Sequence, residues 1–125
     1  MDITPRVTEG RVTIDSYGDW QFRAQGTQIK GNALVFPTSL VPWDLESGGE
    51  ISVKTLQPFL DIADDLDIVL VGCGEQMQFL SQEIRHAFAA RGVGIDPMDT
   101  GAACRTFNIL AIEERRVAAA LVAVG

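Results

Sequence analysis

Residues Asp67 to Val71 form a short, almost uninterrupted apolar run, and it closes on Gly72-Cys73-Gly74. A run this short with little polar alternation suits a strand covered on both faces. Beyond it the chain alternates between helical and extended patterns. A helical pattern from about Gln76 to Arg91 stops at Gly92, and Val93-Gly94-Ile95 reads as a second short strand. Another helix runs from near Thr100 to about Glu113, and Val117 to Val124 makes a last strand. Strand, helix, strand in this order requires a right-handed crossover and parallel neighbours. The exits of segments 67–71 and 93–95 should then share one rim, where ligands bind in open α/β sheets.

The first half reads differently. Arg11 to Asp15 alternates, a turn comes next at Tyr17 to Asp19, and Trp20 to Arg23 alternates again. Breaks at Gly26 and Gly31-Asn32 precede Leu34-Val35-Phe36 and Ser39 to Trp43, which complete an antiparallel meander. Pro37 and Pro42 suit edges or bends, because proline cannot donate to a ladder. Gly48-Gly49 reads as a flexible connection, and Leu56, Phe59, Leu60 and Ala63 recur at helical spacing, with Pro58 in the first turn. Asp61, Asp64 and Asp65 should be solvated, and Trp20 and Trp43 should lie in the core or on a sheet face. The reading is α/β: a mixed central sheet with parallel strand-helix-strand units and an attached N-terminal β-meander, with residues 1–125 as one domain.

Composition narrows the function. The net charge is −7, so a phosphate backbone or an acidic membrane surface would be repelled. Nucleic acid and membrane insertion are not expected, and no apolar run approaches the length of a bilayer span. Two cysteines make no disulfide scaffold, and the N-terminal residues carry no targeting pattern, so a soluble cytoplasmic protein is expected.

Gly72-Cys73-Gly74 admits two readings. It is a tight turn, or its glycines let a phosphate or carboxylate approach a helix N-terminus. The cradle reading lacks the third glycine of a dinucleotide fingerprint, since Met77 stands there, and lacks the lysine of a P-loop. Glu75 already offers the helix dipole a carboxylate. Asp96 falls near where a ribose-binding acid would sit. Cys73 near a helix start would have a lowered pKa, but the sole histidine, His86, lies too far along the same helix to act as its base. One histidine and two separated cysteines do not make a metal-ligand set. No cofactor and no catalytic residue is assigned.

The second loop of the rim, Ile95 to Asn108, has Pro97 ending its strand and Asp99 or Thr100 capping its helix. Cys104 could approach Cys73, and Cys104 shares a helix face with Asn108. Arg105 either pairs with Asp96 or Asp99 or recognises an acidic ligand. The ligand-binding candidates are thus Gly72, Cys73, Gly74, Asp96, Thr100, Cys104, Arg105 and Asn108. Met77, Leu80, Ile84 and Phe88 form the core stripe of the first long helix, while Phe79 and His86 fall opposite. On the second, Phe107, Leu110 and Ala111 share one side, and Ile109 and Ile112 drift off it. Phe79, His86, Ile109 and Ile112 are candidates for a protein partner's surface or for contacts within a homo-oligomer. Arg115 and Arg116 should stay solvated at the turn before the last strand.

The segments VGCG, MDTGAACRTFNIL and EERRVAAALV, together with VFPTSLVPWD in the meander, resemble a small-domain family. It contains a mitochondrial respiratory complex I assembly factor and an adipogenesis-associated protein. Cys73 stands where that family usually has Thr, and Phe107 where Tyr is common. The resemblance implies a three-layer α/β fold and, for some members, an assembly or scaffolding role. It supplies no established catalytic residues. Gly72, Gly74, Thr100, Cys104, Arg105 and Asn108 match its signature positions. The leading expectation is a non-catalytic protein-binding or assembly module. The alternative is a protein or enzyme that binds an anion or nucleotide-like ligand at Gly72-Cys73-Gly74.

Overall fold

The computed structural model describes residues 1, 3, 10–45 and 50–125. Gly48-Gly49 lies outside the described residues. Three strands, β1 (Ser16–Gly18), β2 (Gln21–Ala24) and β3 (Thr27–Lys30), form an antiparallel sheet. Their two-residue turns, Asp19-Trp20 and Gln25-Gly26, all have positive φ, the backbone that matches the twist of hairpin strands. The first turn thus falls one to two residues later than the Tyr17–Asp19 turn expected from sequence. Tyr17 and Gly18 join the strand, and the strand expected at 11–15 gives way to one at 16–18. Trp20 occupies a turn instead of a sheet face, which leaves it 64% exposed. Its N–H donates to the carbonyl of Val124 (2.8 Å), and its ring lies over Gly125.

At Gly31-Asn32 the chain leaves this sheet and enters a second. β4 (Ala33–Val35) and β5 (Leu40–Pro42) are therefore not part of one continuous meander. They join β6 (Ile68–Gly72), β7 (Gly94–Met98) and β8 (Val117–Leu121) in a five-stranded sheet of order β5-β4-β8-β6-β7. β6 runs parallel to both β7 and β8, while β4 is antiparallel to β8 and β5. Contrary to the expectation from sequence, Pro97 does not end β7 but pairs opposite Val71 within it. β7 is an edge strand. Gly94 donates inward to Asp67, so by alternation Pro97 faces outward, where no donor is needed. Pro42 faces outward on the other edge strand by the same parity, since Trp43 donates inward to Asn32.

Side chains of the central strands alternate between two apolar clusters. Leu70, Val117, Ala119 and Leu121 pack on one face with Ile14, Phe22, Cys104 and Phe107. Val69, Val71, Ala118 and Ala120 pack on the other with Leu56, Phe59, Ile84 and Phe88. α3 (Thr100–Ile112) belongs to the first face, and α1 (Gln57–Leu60) and α2 (Gln82–Ala89) to the second. The three alanines of β8 let layers approach the middle of the sheet from both sides. Trp43 is buried in the second cluster, and its indole N–H donates to the carbonyl of Thr55 (2.9 Å). Asp61, Asp64 and Asp65 are exposed. Among the described residues, no helix is long and apolar enough to cross a membrane.

α2 starts six residues later than expected. Ser81 has an extended backbone (φ −63°, ψ 156°), and its hydroxyl accepts from the N–H of Ile84 (3.2 Å). That cap fixes the helix start, so Leu80, Ile84 and Phe88 keep the core contacts. Met77 falls outside the helix and is 46% exposed. α3 begins where expected: Asp99 caps it by accepting from Ala102 (2.8 Å).

Candidate functional site

The strands β6 and β7 lie side by side and point the same way, with Gly72 opposite Met98. Their exits do share a rim. Cys73 N–H donates to Met98 (2.8 Å), and Thr100 N–H donates to Gly74 (2.8 Å). The Thr100 hydroxyl accepts from Gly74 N–H (2.9 Å) and donates to the carbonyl of Val122 (2.7 Å). Val122 N–H closes the circuit on Gly72 (2.9 Å). One fully buried hydroxyl thus joins the exits of three strands.

Gly72 has a spatial reason. A Cβ there would lie 3.0 Å from the Thr100 Cα and 3.0 Å from a Leu121 methyl. Its absence lets the start of α3 sit against the sheet. Gly74 has φ +98°, a turn conformation that L side chains rarely adopt. These two glycines shape the chain around Thr100, and the helix dipole expected behind them is elsewhere, because α2 begins only at Gln82.

The remaining candidates divide between regions. Cys73 is buried in the cluster on the α2 face, with its thiol near the carbonyls of Val71 (3.6 Å) and Gln78 (3.8 Å). Cys104 is fully buried in the opposite cluster. The sheet separates them, so the expected approach of the two thiols does not occur, and both are free. Burial pushes the Cys104 thiol up to about 12, although the nearby Arg105 favours its ionised form. Asn108 shares Cys104's helix face. Its amide accepts from Ile14 N–H (2.7 Å) and donates to Ile14 C=O (2.9 Å), as a neighbouring strand would.

Arg105 pairs with neither Asp96 nor Asp99. Asp99 is the helix cap, and Asp96 is exposed on edge strand β7. Arg105 Nη1 instead donates to the Tyr17 hydroxyl (3.0 Å), over a site where a Cβ on Gly101 would clash. The ion pairs among the described residues are Arg116–Asp67 (2.8 Å) and Arg91–Asp64 (3.5 Å). Arg116, expected only to be solvated, also donates to the Asp64 carbonyl and so ties the entry of β8 to the entry of β6. Its guanidinium holds the Asp67 carboxyl below the usual carboxylate range. Phe79 is 83% exposed in the loop before α2, His86 is exposed on α2, and Ile109 and Ile112 are exposed on α3.

Sequence reasoning missed two grooves along VFPTSLVPWD. One of about 380 Å³ lies between the β5 edge and α1, lined by Phe36, Val41, Pro42, Trp43 and Pro58. The other, about 440 Å³, lies beside Pro37, Thr38 and Ile62, with Arg116 at its margin. The two prolines were the available signal: Pro37 lies in the β4–β5 connection beside the second groove, and Pro42, on the outward side of edge strand β5, lines the first. Among the described residues, no three His, Cys, Asp or Glu side chains gather as a metal would require.

Residues 14–122 match the family described as "Protein of unknown function (DUF498/DUF598)". The chain is 30% identical over 122 residues to NADH dehydrogenase [ubiquinone] 1 alpha subcomplex assembly factor 3 of Danio rerio, covering 98% of this chain and 70% of that protein. It is 33% identical to the Homo sapiens protein of that name, covering 87% of this chain and 59% of the human protein. An uncharacterised protein of Rhodobacter capsulatus is 32% identical over 90% of this chain and 85% of its own. Among solved structures, one described as an outer membrane protein from Bartonella henselae superposes with a TM-score of 0.86 at 33% identity, over 93% of this chain and 98% of that one. A Mth938-like domain of Bordetella pertussis does so at 0.81 and 26%, over 98% and 92%. The chain belongs to the DUF498/DUF598 family and has its Mth938-like α/β fold.

Proposed function

We propose that this protein is a non-catalytic protein-binding module that assists the assembly of a larger complex. The single observation behind this reading is the state of the rim. Its polar groups are spent on one another through Thr100, and Leu121 and the start of α3 fill the space above Gly72. Such a rim holds strands together and leaves few donors for a ligand. Large apolar side chains stand in solvent elsewhere, Phe79 foremost, and relatives of the chain carry the name of an NADH dehydrogenase assembly factor. Exposed aromatic anchors of this kind carry much of the energy of protein interfaces.

The test is affinity capture from the source cell, then reconstitution with the purified partner. A stoichiometric complex is expected, and Phe79→Ala should weaken it at least tenfold. Failure to reconstitute any captured protein as a stoichiometric complex would remove this reading. The alternative, an anion or nucleotide-like ligand at Gly72-Cys73-Gly74, predicts a raised melting temperature with such compounds and its loss in Arg105→Ala. The closed rim predicts no shift.

A further inference from the structure

One edge of the three-stranded sheet is β1, and Met1 and Ile3 lie along it. Met1 and Tyr17 exchange both main-chain bonds. The Met1 nitrogen donates to the Tyr17 carbonyl, and Tyr17 N–H donates to the Met1 carbonyl (3.2 Å). Ile3 N–H donates to the Asp15 carbonyl (2.9 Å). This is the pattern of an antiparallel strand added to an edge. Main-chain bonds of this kind are open to any extended segment, and side-chain pockets decide which one is held. Ile3 packs against the α3-side cluster, whereas Met1 is 72% exposed.

The polar groups at the Met1 end form a directed series. Arg105 Nη1 donates to the Tyr17 hydroxyl (3.0 Å), and that hydroxyl donates to the Met1 sulfur (3.1 Å). Gly101 makes room for the series, since a Cβ there would lie 2.7 Å from the Tyr17 oxygen. The series ends on a thioether, a weak acceptor. Arg105 is exposed and has no ion-pair partner among the described residues. Its Nη1 and the Met1 sulfur are no more than about 6 Å apart. A carboxylate at the sulfur's place would accept from the hydroxyl and meet the guanidinium, a stronger charge-assisted arrangement. Glutamate has its carboxyl carbon at the same chain position as the sulfur of methionine.

We propose that the β1 edge is a strand-acceptor site, that Met1 and Ile3 fill it as a displaceable stand-in, and that its partner is an extended segment with glutamate at the Met1 position and a branched aliphatic residue at the Ile3 position. The exchange replaces main-chain bonds one for one and one aliphatic side chain by another. Its gain is the pairing of glutamate with Tyr17 and Arg105. The tethered residues compete at high effective concentration, so an isolated segment binds weakly until they are loosened. The net charge of −7 opposes an acidic segment at long range, and physiological salt screens that repulsion more than the contact pair. The site rests on the protein-binding reading and adds a second contact to it, away from Phe79.

Titration of the whole chain with the end-blocked peptide Thr-Glu-Thr-Ile-Thr, to about 2 mM, tests the site by amide NMR. Thr-Gln-Thr-Ile-Thr is its uncharged match. The glutamate peptide is expected to shift the Asp15 and Tyr17 amides and to release the Ile3 amide. It should bind about fivefold more tightly than the glutamine peptide, and Arg105→Gln should erase that difference. Ile3→Asp, which loosens the stand-in, should tighten the glutamate peptide about fivefold. Circular dichroism confirms that each variant is folded. The proposal is overturned if neither wild type nor Ile3→Asp responds at Asp15 and Tyr17. Equal binding of the two peptides overturns it too, as does a glutamate preference that survives Arg105→Gln or binding that Ile3→Asp leaves unchanged. These results need only the purified chain and peptides, so they stand apart from the Phe79→Ala reconstitution, and either can fail without the other.

Discussion

The two parallel strands β6 and β7 leave the sheet side by side, yet their exits behave differently. After β7 the chain turns at once into α3, with Asp99 as cap and Thr100 buried as the first helical residue. After β6 it runs through nine residues before α2 begins. Glycines mark the second exit and a capping acid marks the first. Glycine after a strand does not by itself announce a helix. A helix starts where a side chain can take up its free N–H groups and where its apolar stripe meets a core. At the β6 exit that place is Ser81. The glycines serve the neighbouring exit instead, by making room for Thr100.

Substitutions at the rim should separate these roles. Thr100→Val keeps the shape but strands the buried Gly74 N–H and the Val122 carbonyl. At 1–3 kcal/mol for an unsatisfied buried group, the expected loss is about 3 kcal/mol in a urea denaturation experiment. Thr100→Ser, which keeps the hydroxyl, should lose about 1 kcal/mol. Equal losses in the two variants would mean that packing, and not hydrogen bonding, joins the exits. Gly72→Ala forces a Cβ against the backbone of α3, and overpacking of this kind is expected to remove about 2 kcal/mol. Ser81→Ala should cost about 1 kcal/mol and leave amide shifts at the rim unchanged, because that cap belongs to α2 alone. Movement of the Gly72 to Gly74 signals in Ser81→Ala would tie the two exits together more closely than the contacts imply.

The smallest effect concerns pH. Cys104 holds its proton to about pH 12 in the folded protein, above the ordinary thiol value near 9. The unfolded chain therefore binds fewer protons across that interval, and stability should fall as pH rises through it. Cys104→Ala should flatten this limb of the stability curve. An unchanged limb would assign it to other groups.

Much of the second half was legible because its signals are local. Asp67 to Val71 announced a covered strand, Asp99 announced a cap, and the order of elements fixed the parallel pairing of β6 with β7. The misreadings came from choices that local pattern leaves undecided. Met77, Leu80, Ile84 and Phe88 fit one helical stripe, and only the extended backbone at Ser81 excludes Met77 from it. Pro97 ends a strand unless that strand is at an edge, which depends on the position of β7 in the whole sheet. The division of the expected meander between two sheets at Gly31-Asn32 depends on β8, whose sequence lies some ninety residues away. For the same reason Cys73 and Cys104 fell on opposite sides of the sheet. Arg105 found Tyr17, a partner 88 residues distant that nothing nearby in the chain could name. The family resemblance marked Asn108 as a signature position, but it could not say that this side chain acts as a substitute strand for Ile14.

The rim at Gly72, Gly74 and Thr100 is closed by its own side chains. Native-state hydrogen exchange of the Gly74 amide tests it most directly. The buried bond to the Thr100 hydroxyl predicts protection comparable to the amides inside β6, and its loss in Thr100→Val. Exchange as fast as that of the exposed Glu75 to Phe79 segment would show an open rim and contradict the account.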